Sequence, residues 1–242
     1  MSSRPPSPSR WGFFELKSRA LHPWNLSPKE AVEVQRQLSA RVVQKNYLKT
    51  VRFVAGADIA LSKNPPRAYA GVVVLSLPDL KVVEECGVVS ELSFPYIPGL
   101  LAFREAPALL KAFDRMRHEP DLLMIDGQGV AHPRGCGIAC HIGLWLDKPT
   151  IGCAKSRLYG NFRPPPRHRG SWTPLTGNQG DVIGAVVRTK DNTNPIFVSV
   201  GHKIDLPAAI RFVLACSRGY RIPEPTRQAD HFVSRLKREN NS

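Results

Sequence analysis

Three acids stand where the surrounding residues argue against them. Asp58 lies between Ala57 and Ile59 in the run VRFVAGADIAL, Asp126 closes the apolar run DLLMID ahead of Gly127, and Glu105 sits beside Arg104 on the otherwise apolar GLLAFREAPALL. A buried carboxylate is costly unless it finds a cation or hydrogen bonds. Each acid alone has an ordinary explanation: Asp58 caps a turn, Asp126 starts an Asx turn, and Glu105 pairs with Arg104. Jointly, three coincidences are harder to sustain than one centre. Converging carboxylates repel and raise one another's pKa until a divalent ion neutralises them. An all-oxygen set selects a hard ion, Mg²⁺ with Mn²⁺ as a substitute. Such an ion lowers the pKa of bound water, stabilises charge on phosphoryl oxygens and assists a leaving oxygen. That chemistry serves phosphodiester hydrolysis.

A second set of ligand types competes. His132, Cys136, Cys140 and His141, with Cys153 nearby, are zinc-compatible by type. Their spacing fits no common zinc pattern, and the neighbouring glycines suit a close-packed helix, so these cysteines read as buried, inert thiols. Five cysteines without a C-x-x-C pair suit a reducing compartment better than a disulfide scaffold, which leads us to expect a cytoplasmic protein. The 34 Lys and Arg against 20 Asp and Glu give a net charge of +14. That excess favours a polyanionic partner, nucleic acid or an anionic membrane, over the plainer reading of a solubilising surface. No apolar run approaches the roughly 18 residues of a membrane span, and MSSRPPSPSR has no apolar stretch of a secretory signal.

The elements that must position the acids follow from the pattern. The Pro/Ser-rich start reads as a flexible tail, residues 1–25, ahead of a single domain, 26–242. Ser27, Pro28 and Glu30 open a helix whose partial apolar stripe reaches Gln44. Three runs rich in β-formers, 51–61, 68–77 and 81–89, are joined by short turns and imply adjacent antiparallel strands. The spacing of Leu100, Phe103, Leu110 and Phe113 predicts a helix over 99–117, with Pro98 suited to its opening. A buried parallel strand over 121–126, a helix over 137–146 and a strand over 150–154 follow. Residues 161–180 read as a loop, 181–188 and 196–200 as strands, 208–217 and 226–237 as helices. Three meandering strands followed by alternating helices and strands imply an α/β fold, a central mixed sheet flanked by helices in the ribonuclease H-like order.

Four stretches carry a resemblance: FPYIPGLLAFRE, LMIDGQGVAHPRGCGIACHIG, PTIGCAKSRLYG and GYRIPEPTRQAD, with GADIAL as a weaker fifth. In this order and spacing they resemble the endonuclease V family, from about Val51 to the last helix. The resemblance implies a ribonuclease H-like fold and Mg²⁺-dependent cutting of the second phosphodiester bond 3′ to deoxyinosine, leaving 3′-hydroxyl and 5′-phosphate ends. Its partner would be DNA containing deoxyinosine, double- or single-stranded, with the protein acting as a monomer and away from membranes.

Residue by residue, Asp58, Glu105 and Asp126 match the family's metal-binding and catalytic acids, and Lys155 its motif lysine, placed to contact DNA or the phosphate under attack. His231 resembles a histidine near the metal in some members. Pro95, Tyr96, Ile97 and Pro98 resemble a strand-separating wedge, and stiffness helps such a device because less entropy is lost on ordering. Gly99, Leu101, Gly127, His132 and Ile138 match positions of the base pocket. Leu61 and Cys136 depart from the usual family residues. Arg104 has no assigned role; a partner to an acid or phosphate is expected. Two alternatives stay open: an inosine-specific ribonuclease on the same fold, and a non-catalytic nucleic-acid-binding module, which gains nothing from clustered acids facing phosphate.

Overall fold

The computed structural model describes residues 20–240. Ser27 closes a capping box with Glu30 and starts α1 (Pro28–Ser39). The helix stops at Ser39 instead of continuing to Gln44; Val42 and Val43 instead join the segment leading into the sheet, where the backbone of Val43 bonds to Lys203 and His202. Of the expected tail, residues 1–19 lie outside the described residues. Trp24, which the sequence reading assigns to that tail, is packed against Trp145 and His141, so the tail boundary at residue 25 is corrected toward the N-terminus.

Three long strands come next, β1 (Phe53–Ser62), β2 (Arg67–Ser76) and β3 (Lys81–Glu91), paired antiparallel as expected. The rest of the chain adds α2 (Leu101–Phe113), β4 (Leu122–Ile125), α3 (Ile138–Leu146) and β5 (Thr150–Ala154). After these come β6 (Trp172–Thr176), β7 (Val182–Val187), β8 (Ile196–His202), α4 (Leu206–Ala215) and α5 (Glu224–Glu239). The eight strands form one mixed sheet in the order β3-β2-β1-β4-β5-β8-β7-β6. This is the ribonuclease H-like α/β architecture expected from the element order. β6 corrects the loop expected over 161–180: Pro174 hides a strand from propensity, and the sheet tolerates it because β6 is the edge strand, laddered to β7. Helix α2 opens at Leu101, so Pro98 belongs to the turn before it.

Alternation along the central strands sets the two faces. Ala55, Ala57, Leu123 and Ile125 meet α2 and the start of α3, whereas Val54, Leu122 and Met124 share a core with Ala208, Val213 and Ala229 of α4 and α5. Even-numbered positions of β1 and β4 therefore face α5. Among the described residues no helix is long and apolar enough to cross a membrane.

Candidate active site

The parallel register of β1 and β4 pairs Ala57 with Ile125, and the Asp126 N–H donates to the Ala57 carbonyl at 3.0 Å. One residue further along, Asp58 and Asp126 are neighbours, both on the α5 side of the sheet. Helix α5 can approach that side because β1 carries Gly56. A side-chain carbon there would lie 1.9 Å from the Pro225 carbonyl oxygen. Gly71 and Gly87, opposite one another on β2 and β3, leave the same room for Phe232, Val233 and Leu236. The docked helix delivers Asp230, and one carboxylate oxygen each of Asp58, Asp126 and Asp230 falls within 4.8 Å of the others.

Asp230 is the member that sequence reasoning missed. The expected His231 is exposed and does not belong to this oxygen cluster, although its charge reaches Asp230. Glu105 also lies outside the cluster; it approaches from α2 on the opposite face, near enough for the charge of Asp126 to act on it. A signal for Asp230 was present: it shares the helical stripe of Thr226, Ala229 and Val233, the buried side of α5.

Lys155, just beyond β5, places its Nζ 2.6 Å from Asp126 and 3.0 Å from Asp230. The electrostatics follow from burial and this single cation. Burial, then repulsion from Asp126, pushes Asp58 up to about 8. Burial raises Glu105 to about 7, the charge of Arg104 opposing. Asp126 is raised as well, chiefly by burial and against the pull of Lys155. Burial also acts on Asp230, but the bond and charge of Lys155 outweigh it and hold this acid below its usual range. Lys155 itself is pushed up, its burial outweighed by the two acids it bonds. The cluster therefore carries more negative charge than one ammonium neutralises, on oxygen donors alone. It is chemically suited to a hard divalent cation.

A cavity of about 410 Å³ opens beside these acids. Asp126 and Lys155 form part of its wall, and so do Tyr96, Ile97, Pro98, Gly99, Leu101, Gly127, His132 and Ile138. Pro95 is exposed next to Tyr96, which leaves 70% of its surface to solvent. The Arg104 guanidinium donates to the Phe94 carbonyl at the root of this loop, and its charge acts on the neighbouring Glu105. Gln35 and Arg134, neither anticipated, converge with His132 on one carbonyl, that of Gly99: Gln35 at 3.0 Å, Arg134 at 2.7 Å and His132 Nε2 at 3.0 Å. Gly99 has φ +79°, a left-handed conformation that suits glycine. Gln35 shares the buried stripe of Ala31 and Leu38 on α1, a polar residue in an apolar row.

The carbonyl only accepts, so His132 carries its proton on Nε2, and its Nδ1 accepts from the Arg134 N–H at 3.1 Å. Burial, then the charge of Arg134, lowers His132 to about 4, so the ring is neutral. Both of its nitrogens are committed to holding the cavity wall. Gln128 donates to the Ser156 carbonyl at 2.9 Å, while its Oε1 is buried without a partner among the described residues. Cys136, Cys140 and Cys153 are buried free thiols, as expected.

The family model described as Endonuclease V matches residues 36–231 of this chain. A Gloeobacter violaceus protein named endonuclease V is 47% identical over 224 residues, 91% of this chain and 91% of that protein. The solved structure of an endonuclease V from Streptomyces avermitilis is similar with a TM-score of 0.86 at 41% identity, covering 90% of this chain and 96% of that one. An endonuclease V from Ciona intestinalis, in complex with a 24mer DNA containing an inosine followed by a ribo-adenosine, is similar with a TM-score of 0.76 at 28% identity, covering 87% of this chain and 98% of that one.

Proposed function

The chain belongs to the endonuclease V family, nucleases that act on phosphodiester bonds, and from that premise we propose that it is a DNA repair enzyme for deoxyinosine. It hydrolyses the second phosphodiester bond 3′ to the lesion, leaving 3′-hydroxyl and 5′-phosphate ends, and acts as a monomer in the cytoplasm. One observation carries the reading: the acid cluster and the cavity behind the exposed Tyr96 share Asp126, and Lys155, bonded to that acid, lines the same cavity. A nucleotide drawn into that cavity has its 3′ strand at the acids.

Asp58, Asp126 and Asp230 would hold Mg²⁺, or Mn²⁺ in its place, with Glu105 completing the acid set from the opposite layer. A bound ion of this kind supplies a water of lowered pKa and neutralises charge on the phosphoryl oxygens. The Lys155 ammonium, carried on the same wall, steers and steadies the phosphate under attack. Extruding a base costs a few kcal/mol, less for a damaged or mispaired one. Tyr96, held between Pro95 and Pro98 with Ile97, offsets that cost by filling the gap in the stack. Gly99, Leu101, Gly127 and Ile138 bring backbone and small surfaces to the base edge, while His132, Gln35 and Arg134 fix the Gly99 carbonyl. The unpaired Gln128 Oε1 is an acceptor suited to the N1–H that hypoxanthine has and adenine lacks.

A second reading, inosine-specific cleavage of RNA, draws support from the ribo-adenosine in the DNA bound by the Ciona relative. Nicking assays with Mg²⁺ on matched strands separate the two. The expected result is cutting of the deoxyinosine duplex at the second 3′ bond, and a loss of about 10³-fold or more in Asp126→Ala, the scale of removing a group that stabilises transition-state charge. Faster cutting of the inosine-bearing RNA would favour the ribonuclease. Equal nicking by wild type and Asp126→Ala would reject both.

A further inference from the structure

On the far side of Lys155 a second cavity, of about 750 Å³, shares Lys155, Ser156 and Arg157 with the first. Its charge is one-sided. Arg157, Arg167, Arg188 and Arg221 line it together with Lys155, and among the described residues no acid does. Among the described residues none of these four arginines makes an ion pair, since every pair found involves other groups.

Arg188 is the most telling. It is 8% exposed, and its guanidinium donates only to the carbonyls of Pro165, Pro166 and Thr193. Arg221 is held in the same way by the carbonyls of Lys155, Asn194 and Pro195. Carbonyls satisfy the donors but leave the positive charge in place, and a buried charge without a counter-charge is unfavourable. Two arginines fixed by backbone thus build a rigid positive floor. Arg167 stands exposed at the rim, with no side-chain bond or ion pair among the described residues, and Arg157 lies over Phe162 at 5.9 Å. Fixed cations around an acid-free cavity are a site for phosphate.

Position supplies the occupant. At the edge of the sheet where the acids lie, Asp58 is on β1, Asp126 follows β4, and Lys155 follows β5. Asn194 and Pro195 then precede β8, and Arg188 follows β7. Lys155 bonds Asp126 and Asp230 and also lines the arginine cavity, so that cavity adjoins the acids and lies within reach of phosphates next to the cut. We propose that the second cavity binds the phosphates of the strand 3′ to the cut, downstream of the one under attack, through Arg157 and Arg167 over the fixed charges of Arg188 and Arg221. This inference rests on the nuclease reading for its direction and deepens it. The enzyme holds the downstream strand as well as the lesion, and the 161–172 loop exists to build that grip.

The test measures binding in EDTA, where no cutting occurs, to deoxyinosine duplexes whose lesion strand ends just past the cut or continues for about five more nucleotides. The same pair is made with deoxyadenosine in place of the lesion. Wild type should bind the longer duplex about tenfold more tightly and with a steeper salt dependence. Arg167→Glu, at an exposed rim position, should reduce that gain to about twofold or less, and Arg167→Ala should flatten the salt slope by about one unit, on the longer duplex alone. Loss of affinity by equal factors on both lengths, or a length gain untouched by either variant, overturns the proposal. A length gain that is lost in Arg167→Glu on both base types, with no preference for deoxyinosine, upholds the arginine cavity and sinks the lesion reading instead.

Discussion

At the scale of single residues the centre depends on groups that gain meaning only together. Asp58 and Asp126 were legible in the sequence because each interrupts an apolar strand, where a carboxylate needs a reason. Glu105 was legible for the same reason, although it lies outside the oxygen cluster that Asp230 joins. Asp230 escaped because it lies in a helix rich in charge, where one more acid looks like solvated surface. Only the stripe of Thr226, Ala229 and Val233 reveals the side of α5 it shares. Gln35 escaped in the same way on α1. The consequence is testable. Asp230→Asn keeps the shape and a hydrogen-bond acceptor for Lys155 but removes one negative charge from the ligand set. Nicking should fall by about 10²–10³-fold, with part of the loss recovered at high Mg²⁺, because one ligand charge is missing while the remaining acids are intact. The His231→Ala exchange, at an exposed position outside the cluster, should cost less than tenfold in the same assay. The reverse ranking would restore the histidine as the ligand and remove Asp230.

At the scale of elements the sequence was clearest where periodicity and caps agree, as in α1's capping box and the three-strand meander. It was least clear where tertiary contacts override propensity. β6 exists because an edge tolerates Pro174, and the segment before α1 is ordered because His22 and Trp24 fill an aromatic niche formed by Phe103, His141 and Trp145. That niche makes a prediction about pH. His22 Nδ1 lies 2.8 Å from the Pro23 carbonyl, which only accepts, so its Nε2 must accept the proton of His141 Nε2 at 2.7 Å. Both rings are neutral in this arrangement. Burial, then the proximity of His22, lowers His141 to about 3, and burial lowers His22 as well. A histidine held neutral in the fold binds fewer protons than in the unfolded chain, so its contribution is intact above pH 6.5 and is lost as pH falls from there toward 3. Between pH 7 and pH 5 His141 alone should remove about 2 kcal/mol of stability. Urea midpoints across this range should fall steeply in wild type and distinctly less in His141→Asn. Parallel slopes for the two proteins would show that the pair does not couple the N-terminal segment to protonation.

At the scale of the whole molecule, the sheet and α5 gather acids from residues 58, 126 and 230, in a chain of net charge +14 whose Arg157, Arg167, Arg188 and Arg221 line the cavity on the far side of Lys155. The two signs do separate work. On the proposed function, the basic surface with the arginine cavity would act on phosphates, indifferent to sequence, whereas the cavity behind Tyr96 would act on a neutral base through backbone and amide groups. Phosphate contacts release counterions, and base contacts do not. Affinity and lesion preference should therefore respond differently to salt. If the surface from the wedge to the arginine cavity neutralises about six phosphates, affinity for any duplex should drop by about 10³-fold between 50 and 200 mM salt. The ratio of affinities for deoxyinosine and deoxyadenosine duplexes of equal length should stay within about twofold over the same range, because both bear the same phosphates. Anisotropy titrations of the two duplexes across that range measure both quantities at once. A ratio that collapses as steeply as the affinity itself would mean that the lesion is sensed through backbone charge and distortion, and that the neutral cavity behind Tyr96 is not what reads the base.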